Sequence, residues 1–144
     1  AIISNSKIST KIKSYVNKFY KNVLVMELKT KLQKKNFFDT NTIFSVGYMK
    51  VIEKSIIENF DVINLHPSIL PTYKGLMTQK RMLINNEKNY GFTLHKVSNS
   101  LDEGETISNK IKKNNTKNES QLLKKHKSLE HKFVYKQFVD YLLG

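Results

Sequence analysis

The sequence contains no cysteine and no tryptophan, and it has only two prolines and five glycines. Without cysteine the chain can form neither a disulfide nor a thiolate zinc site, and it has no thiol nucleophile. So few prolines and glycines exclude a collagen-like or low-complexity chain. No apolar run approaches the roughly 18 residues of a membrane span, and no secretory signal pattern opens the sequence. We therefore expect a protein of a reducing, cytoplasmic compartment with no membrane partner.

Arginine is almost absent. One arginine, Arg81, stands among 25 basic residues, which with 12 acidic residues give a formal charge of +13. Arginine is the residue best suited to bidentate contacts with phosphates and bases. Lysine and asparagine, both abundant here, share A/T-rich codons. We interpret the charge as codon bias with a solvated lysine surface and expect no nucleic-acid partner. The sequence leaves a homodimer open.

The 144 residues suffice for one domain with a real hydrophobic core. Short apolar segments alternate with segments that repeat apolar residues every three or four positions. This order is typical of an α/β fold, and we predict an open, mostly parallel Rossmann-like sheet flanked by helices. The predicted strands are 1–3, 23–28, 42–46, 62–66, 91–97 and 107–111. The predicted helices are 8–19, 52–60, 79–84 and one from Glu119 to the end, with a charged connection over 29–36.

The segment Asn64–Gly75 carries the first chemical pattern. Asn64 and His66 are two positions apart on a predicted strand, so their side chains point to the same face. Pro67 ends that strand, and open α/β sheets bind ligands at the carboxyl ends of their strands. An amide can stabilise an oxyanion while an imidazole donates or accepts a proton, which suits acyl transfer.

A second pattern is the acidic turn 100–104. Asp102 in this turn could orient His66, raise its pKa or relay a proton. Turns commonly contain aspartate and glycine for conformational reasons alone, and an asparagine and a histidine near a turn are often structural. From these residues by themselves, both the catalytic and the structural interpretation stay open.

The two patterns together resemble the signature of the folate-dependent formyltransferases. That family carries Asn-x-His-Pro-Ser-Leu-Leu-Pro followed by a glycine turn, and then Leu-Asp-x-Gly. This chain has Asn-Leu-His-Pro-Ser-Ile-Leu-Pro from Asn64 and Leu-Asp-Glu-Gly from Leu101, and the likeness extends over about residues 42 to 143. The resemblance implies a formyltransferase fold and a catalytic set of Asn64, His66 and Asp102.

The resemblance also implies the substrates. It points to 10-formyltetrahydrofolate as the co-substrate, to a small primary amine as the acceptor, and to no metal. The segment from Gly47 to Ile52 is similar to the family segment that lines the folate pocket. The residues then expected to bind the folate are Met49, Lys50, Val51, Ile52, Leu101, Glu103, Gly104 and Glu105.

Within the family, the resemblance is closest to the subfamily that formylates glycinamide ribonucleotide in purine biosynthesis. Leu76-x-Thr78 and the long last helix favour this subfamily. Sugar-amine formyltransferases, methionyl-tRNA formyltransferases and an inactive folate-binding relic stay open as alternatives.

The chain departs from the family pattern at three places. The glycine-rich phosphate loop expected after the first strand is replaced by Ser4-Asn5-Ser6. Either Ala1–Asn5 is the family's second strand, so that the first strand and the phosphate loop lie outside this chain, or it is a degenerate first strand. Met77-Thr78-Gln79 replaces a His-x-His motif, and Glu103 replaces a glycine. We expect residues 1–144 to form a single formyltransferase domain, shortened at the N-terminal side, in which acceptor binding is altered.

The remaining histidines are not assigned a catalytic role. His126 and His131 are five residues apart, which does not match the four-residue spacing of a helical zinc pair, so we expect no metal there. His95 lies in a predicted strand, and the pattern allows either a structural or a pocket-lining role.

Overall fold

A six-stranded sheet organises the protein, whose computed structural model describes residues 2–4, 25–27, 33 and 41–143. The strand order is β2-β1-β3-β4-β5-β6. The first four strands in this order are parallel, and β5 and β6 are added antiparallel, which confirms the predicted open, mostly parallel sheet. The strands are β1 (Ile2–Ser4), β2 (Val25–Glu27), β3 (Thr42–Val46), β4 (Asp61–His66), β5 (Asn89–Lys96) and β6 (Thr106–Lys113).

Three helices are described: α1 (Lys54–Ile57), α2 (Thr78–Ile84) and α3 (Glu119–Leu143). The apolar spacing predicted α2 and α3 correctly but made α1 too long. The chain turns after α1 because the amides of Asn59 and Phe60 both bond to the carbonyl of Ile56, and β4 begins directly afterwards. The predicted helix 8–19 and the connection 29–36 fall outside the described residues, Gln33 excepted. No described helix is long and apolar enough to cross a membrane.

The hydrophobic core lies on both faces of β3 and β4. On one face, the large cluster joins these strands to β5 and to the helices α2 and α3. On the other face, Ile43 and Val62 pack with Tyr48 and Ile56. Strands that are buried on both faces read as continuous apolar runs, which is why the sequence pattern identified both of them.

The long helix α3 contacts β5 partly through a buried histidine. The Nε2 atom of His126 lies 3.2 Å from the carbonyl oxygen of Gly91 and donates to it, since a carbonyl can only accept. The rings of Tyr90 and Phe92 lie nearly perpendicular to the imidazole, with ring centroids 5.2 and 5.1 Å away. This burial lowers the pKa of His126 to about 4, so the ring packs as a neutral core residue.

Candidate active site

Strand β4 presents the two residues of the first motif at the carboxyl end of the parallel sheet. In the antiparallel register with β5, Asn64 lies opposite His95 and His66 lies opposite Thr93. Directly opposed residues share a face of a sheet, so these four side chains project together. Val46 is paired with Leu65, and the segment that follows β3 therefore leaves the sheet at the same edge.

His66 is held by both ring nitrogens. Its Nε2 atom lies 2.8 Å from the carbonyl oxygen of Tyr73 and donates to it. Its Nδ1 atom lies 3.4 Å from Oδ2 of Asp102. The ring is only 5% exposed, so these two contacts fix its orientation inside the site. The contact at Nδ1 is longer than the one at Nε2, so Nδ1 is the ring nitrogen that remains available to a substrate atom.

Asp102 reaches the site from the turn between β5 and β6. Its backbone is left-handed, with a φ of 52°, a conformation in which aspartate is enriched among non-glycine residues. The amide of Gly75 donates to Oδ2 at 2.7 Å, and Oδ1 lies 3.7 Å from Nε2 of His95. The carboxylate is thus 9% exposed and faces two histidines, which brings together the three residues that the resemblance implied.

His95 is a pocket-lining residue. Its Nδ1 atom donates to the carbonyl of Lys96 at 2.9 Å, so its Nε2 atom is an acceptor. The side-chain amide of Asn64 lies 3.2 Å from that Nε2 atom and donates to it. Burial lowers the pKa of His95, against the opposing effects of the Lys96 carbonyl and the Asp102 charge. A neutral His95 therefore orients the amide of Asn64.

The loop after β4 is fastened to β5 by one hydroxyl group. The Oγ1 atom of Thr93 donates to the carbonyl of Ser68 at 2.8 Å and accepts from the amide of Leu70 at 3.0 Å. The peptide between Leu70 and Pro71 is cis. Because Thr93 is 1% exposed and opposite His66, the loop that supplies the Tyr73 carbonyl is positioned by the same strand pair as the imidazole.

The expected folate-binding residues occupy two segments. The first follows β3, where Met49 and Val51 are 60% and 80% exposed while Ile52 packs against the smaller core cluster. The second adjoins Asp102, with Leu101 68% exposed. Exposed apolar side chains on a small domain are typical of a binding surface when they adjoin polar groups. Lys50, Glu103, Gly104 and Glu105 lie in the same two segments, and the folate-binding role of all eight residues stays a prediction.

Sequence reasoning gave no specific role in the site to Tyr73, Lys74 or Gly75, which lie in the first motif, and it left the role of His95 open. Tyr73 and Gly75 act through main-chain atoms, which residue type does not reveal. Lys74 pairs with Glu103, from the other side of the site, with Nζ 2.7 Å from Oε1. The alternation of side chains along β5 could have assigned His95 to one face of the sheet. Only the register of β4 against β5 shows that His95 lies next to Asn64 on that face.

The residues at which the chain departs from the family pattern lie in different parts of the protein. Met77 is 61% exposed with a left-handed backbone, φ 56°, while Thr78 is buried at the start of α2. The Nε2 atom of Gln79 lies 3.4 Å from Nδ1 of His126 and not in the site. Asn5 and Ser6 fall outside the described residues. Within the part of the chain that the structure describes, no three His, Asp or Glu side chains are arranged to hold a metal ion.

Together the side chains offer an amide donor, an imidazole and a carboxylate in one largely buried pocket. Asn64 has a second amide hydrogen besides the one given to His95, and His66 presents Nδ1. Two such donors can stabilise a developing oxyanion, and the adjacent carboxylate can accept or relay a proton. This combination fits transfer of an acyl group to a nucleophile.

Known proteins match the chain in sequence and in fold. The phosphoribosylglycinamide formyltransferase of Escherichia coli is 28% identical over 74 residues, which are 50% of this chain and 35% of that protein. The structure of the Campylobacter jejuni phosphoribosylglycinamide formyltransferase has a TM-score of 0.75 at 21% identity, covering 99% of this chain and 96% of that one. The Helicobacter canadensis N-formyltransferase, in complex with folinic acid and dTDP-3-aminofucose, has a TM-score of 0.79 at 20% identity, covering 99% and 62%.

The two structural likenesses show the fold, and they extend over nearly the whole chain. The matches to the first three curated relatives cover between 10% and 35% of those proteins' own length. The family model described as formyl transferase matches residues 6–138, which include both motifs and every residue of the site described above. The chain belongs to the formyl transferase family.

Proposed function

We propose that this protein transfers a formyl group from 10-formyltetrahydrofolate to a primary amine, and that the amine is glycinamide ribonucleotide. The observation that carries the proposal is the convergence of Asn64 and His66 with Asp102. These residues come from motifs on opposite sides of β5, and the carboxylate lies 3.4 Å from the imidazole. A structural role for the two motifs would not require this contact.

In the proposed reaction the amine nitrogen attacks the formyl carbon, and the carbonyl electron pair moves onto the formyl oxygen. The second amide hydrogen of Asn64 and the Nδ1–H of protonated His66 stabilise that oxyanion. Asp102 accepts a proton from the attacking nitrogen and passes it toward the leaving nitrogen of the folate, directly or through water. The carbon–nitrogen bond to the folate then breaks and the carbonyl re-forms.

The folate is proposed to bind against the exposed apolar side chains on either side of the site. Met49 and Val51 follow β3, and Leu101 precedes Asp102. These exposed apolar side chains suit an aromatic ring system that needs apolar contact on its faces. The folinic acid bound by the Helicobacter canadensis relative supports a folate as the donor.

The identity of the amine that accepts the formyl group is the more specific part of the proposal. Glycinamide ribonucleotide is supported by the Escherichia coli relative and by the fold of the Campylobacter jejuni enzyme. An amino sugar is the second candidate, because the Helicobacter canadensis structure, whose complex contains an amino-sugar nucleotide, has the higher TM-score of the two structures. Met77 also places an exposed apolar side chain where the family motif has a histidine.

Transfer of isotope-labelled formyl groups from 10-formyltetrahydrofolate tests both parts. The acceptors offered are glycinamide ribonucleotide, an amino-sugar nucleotide and methionyl-tRNA. We expect labelled product with the first acceptor and none after replacement of His66 by alanine. Transfer only to one of the other two acceptors would overturn the choice of acceptor and keep the reaction. Binding of folate without transfer to any amine would overturn the reaction and indicate a folate-binding relic.

A further inference from the structure

An ion pair crosses the edge of the candidate active site. The Nζ atom of Lys74 lies 2.7 Å from Oε1 of Glu103, and the two side chains are 35% and 53% exposed. Glu103 directly follows Asp102, and Lys74 lies between Tyr73 and Gly75. The hydrogen bond from Lys74 lowers the pKa of the Glu103 carboxyl, which favours its charged form.

The two neighbours of Lys74 in the chain each contact a reactive side chain. The carbonyl of Tyr73 accepts from His66, Lys74 binds Glu103, and the amide of Gly75 donates to Asp102 at 2.7 Å. We call residues 73–75 the bridging segment. Because one stretch of chain touches both His66 and Asp102, the distance between the imidazole and the carboxylate depends on how closely the turn at Asp102 is held to this segment.

The bridging segment is itself anchored from behind. The Nη2 atom of Arg81 on α2 donates to the carbonyl of Lys74 at 2.5 Å, and its guanidinium lies 5.7 Å from the centre of the Tyr73 ring. The hydroxyl of Tyr73 also donates to Glu87 at 3.0 Å. These contacts make the segment a fixed support. The turn at Asp102, by contrast, is closed by a long hydrogen bond, from the amide of Glu103 to the carbonyl of Ser100 at 3.3 Å.

We propose that Lys74 and Glu103 are positioning residues whose ion pair holds the turn 101–104 against the bridging segment, so that Asp102 stays within reach of Nδ1 of His66. This inference rests on the proposed formyl transfer for its kinetic consequence. Neither side chain touches the reacting atoms, and the folate contact expected at Glu103 is with its main chain, so loss of the pair should slow turnover while substrate binding is kept. High salt should imitate the loss, because exposed ion pairs are screened.

Four variants test the pair: Glu103→Gln, Lys74→Met, the double exchange Lys74→Glu with Glu103→Lys, and Glu58→Gln as a matched control. Glu58 is also paired with a lysine, Lys54, at 3.4 Å, in an exposed pair on α1. We expect each single change at the pair to lower kcat by about three- to fivefold, the upper part of the range of a surface ion pair, with KM for the folate within about twofold. The exchange should restore most of kcat, and the control should leave it unchanged.

A second readout does not need activity. The imidazole nitrogen signals of His66, observed by NMR in the free protein, should shift in Glu103→Gln, return in the double exchange and stay in place in Glu58→Gln. If the wild-type protein transfers formyl groups and both single variants keep kcat within about twofold, the positioning role is wrong while the proposed function holds. A raised KM with unchanged kcat would also contradict it, since Glu103 would then contact the folate directly. If the wild-type protein transfers nothing, unchanged His66 signals overturn the inference on their own.

Discussion

The two ring nitrogens of His66 face two acceptors, the carbonyl of Tyr73 at 2.8 Å and the carboxylate of Asp102 at 3.4 Å. A carbonyl and an ionised carboxylate have no hydrogen to give, so both contacts are satisfied only when both nitrogens carry protons. A proton carried by Nδ1 as well would make the ring an imidazolium, whose charge the Asp102 carboxylate would balance. A donor at Nδ1 is what an oxyanion formed beside the ring would need.

Replacement of Asp102 by asparagine tests this relationship. Asparagine has the same shape and tolerates the left-handed backbone, so the turn should persist. It can neither balance the imidazolium nor accept a proton, and we expect kcat to fall by about 100-fold to 10,000-fold. Initial rates of formyl transfer give the result, with Asp140→Asn on the exposed part of α3 as the control. An unchanged rate in Asp102→Asn would remove Asp102 from the mechanism.

His95 should matter through the acceptor that it offers to Asn64. In His95→Leu the side-chain amide of Asn64 loses its partner inside the pocket, and we expect kcat to drop by about tenfold or more because the amide is no longer oriented. In His95→Gln the side-chain oxygen can accept the same hydrogen, so most of the rate should return. Equal losses in the two variants would show that His95 acts in some way other than as an acceptor.

The buried His126 should make stability depend on pH. Its folded pKa is about 4 against an ordinary value of 6.5. Between these values the unfolded chain binds more protons than the folded one, so stability is full above pH 6.5 and falls as the pH is lowered toward 4. The shift corresponds to about 3 kcal/mol of unfolding free energy. Urea unfolding at pH 7 and pH 4.5 measures this loss.

The same experiment has a matched pair of variants. His126→Gln removes the titrating ring, so its unfolding free energy should change less between the two pH values than that of the wild-type protein. His131→Gln removes a histidine of the same helix and leaves His126 in place, so the wild-type dependence should persist. An undiminished pH dependence in His126→Gln would assign the effect to other groups.

Gly104 should tolerate no side chain. A Cβ atom built there would lie 1.6 Å from the carbonyl oxygen of Lys96, a backbone atom that cannot move without displacing β5. We expect Gly104→Ala to shift the turn that carries Asp102 and to reduce formyl transfer at least about tenfold. Gly75→Ala meets only the Leu101 side chain, at 3.6 Å, but its φ of 80° makes it strained as well. Wild-type rates in Gly104→Ala would mean that the turn adapts.

The sequence predicted the parts of the site that depend on local order. The alternation of a strand placed Asn64 and His66 on one face, and Pro67 marked the strand end at the sheet edge. For Asp102 the residues alone left a catalytic and a structural interpretation open, and the resemblance favoured the first, because no local rule links a turn to a strand from which it is separated along the chain. The structure then joined them through the antiparallel register of β4 and β5.

Elements that depend on tertiary contacts were harder to predict. Nothing in the sequence pairs Lys74 with Glu103, since each is an ordinary charged residue in its own turn. The role of His95 depended on which residue of β4 it opposes. The predicted length of α1 failed because its apolar spacing continued to Phe60, which packs against the smaller core cluster from a turn.

The acceptor of the His66 Nε2 proton is a main-chain oxygen, that of Tyr73. Every amino acid carries that atom, so a point substitution at position 73 does not delete the hydrogen bond itself. Only a change in the path of the loop can withdraw it. The imidazole orientation therefore follows the path of the backbone, and the Tyr73 side chain affects it only through the contacts with Arg81 and Glu87 that hold the loop in place.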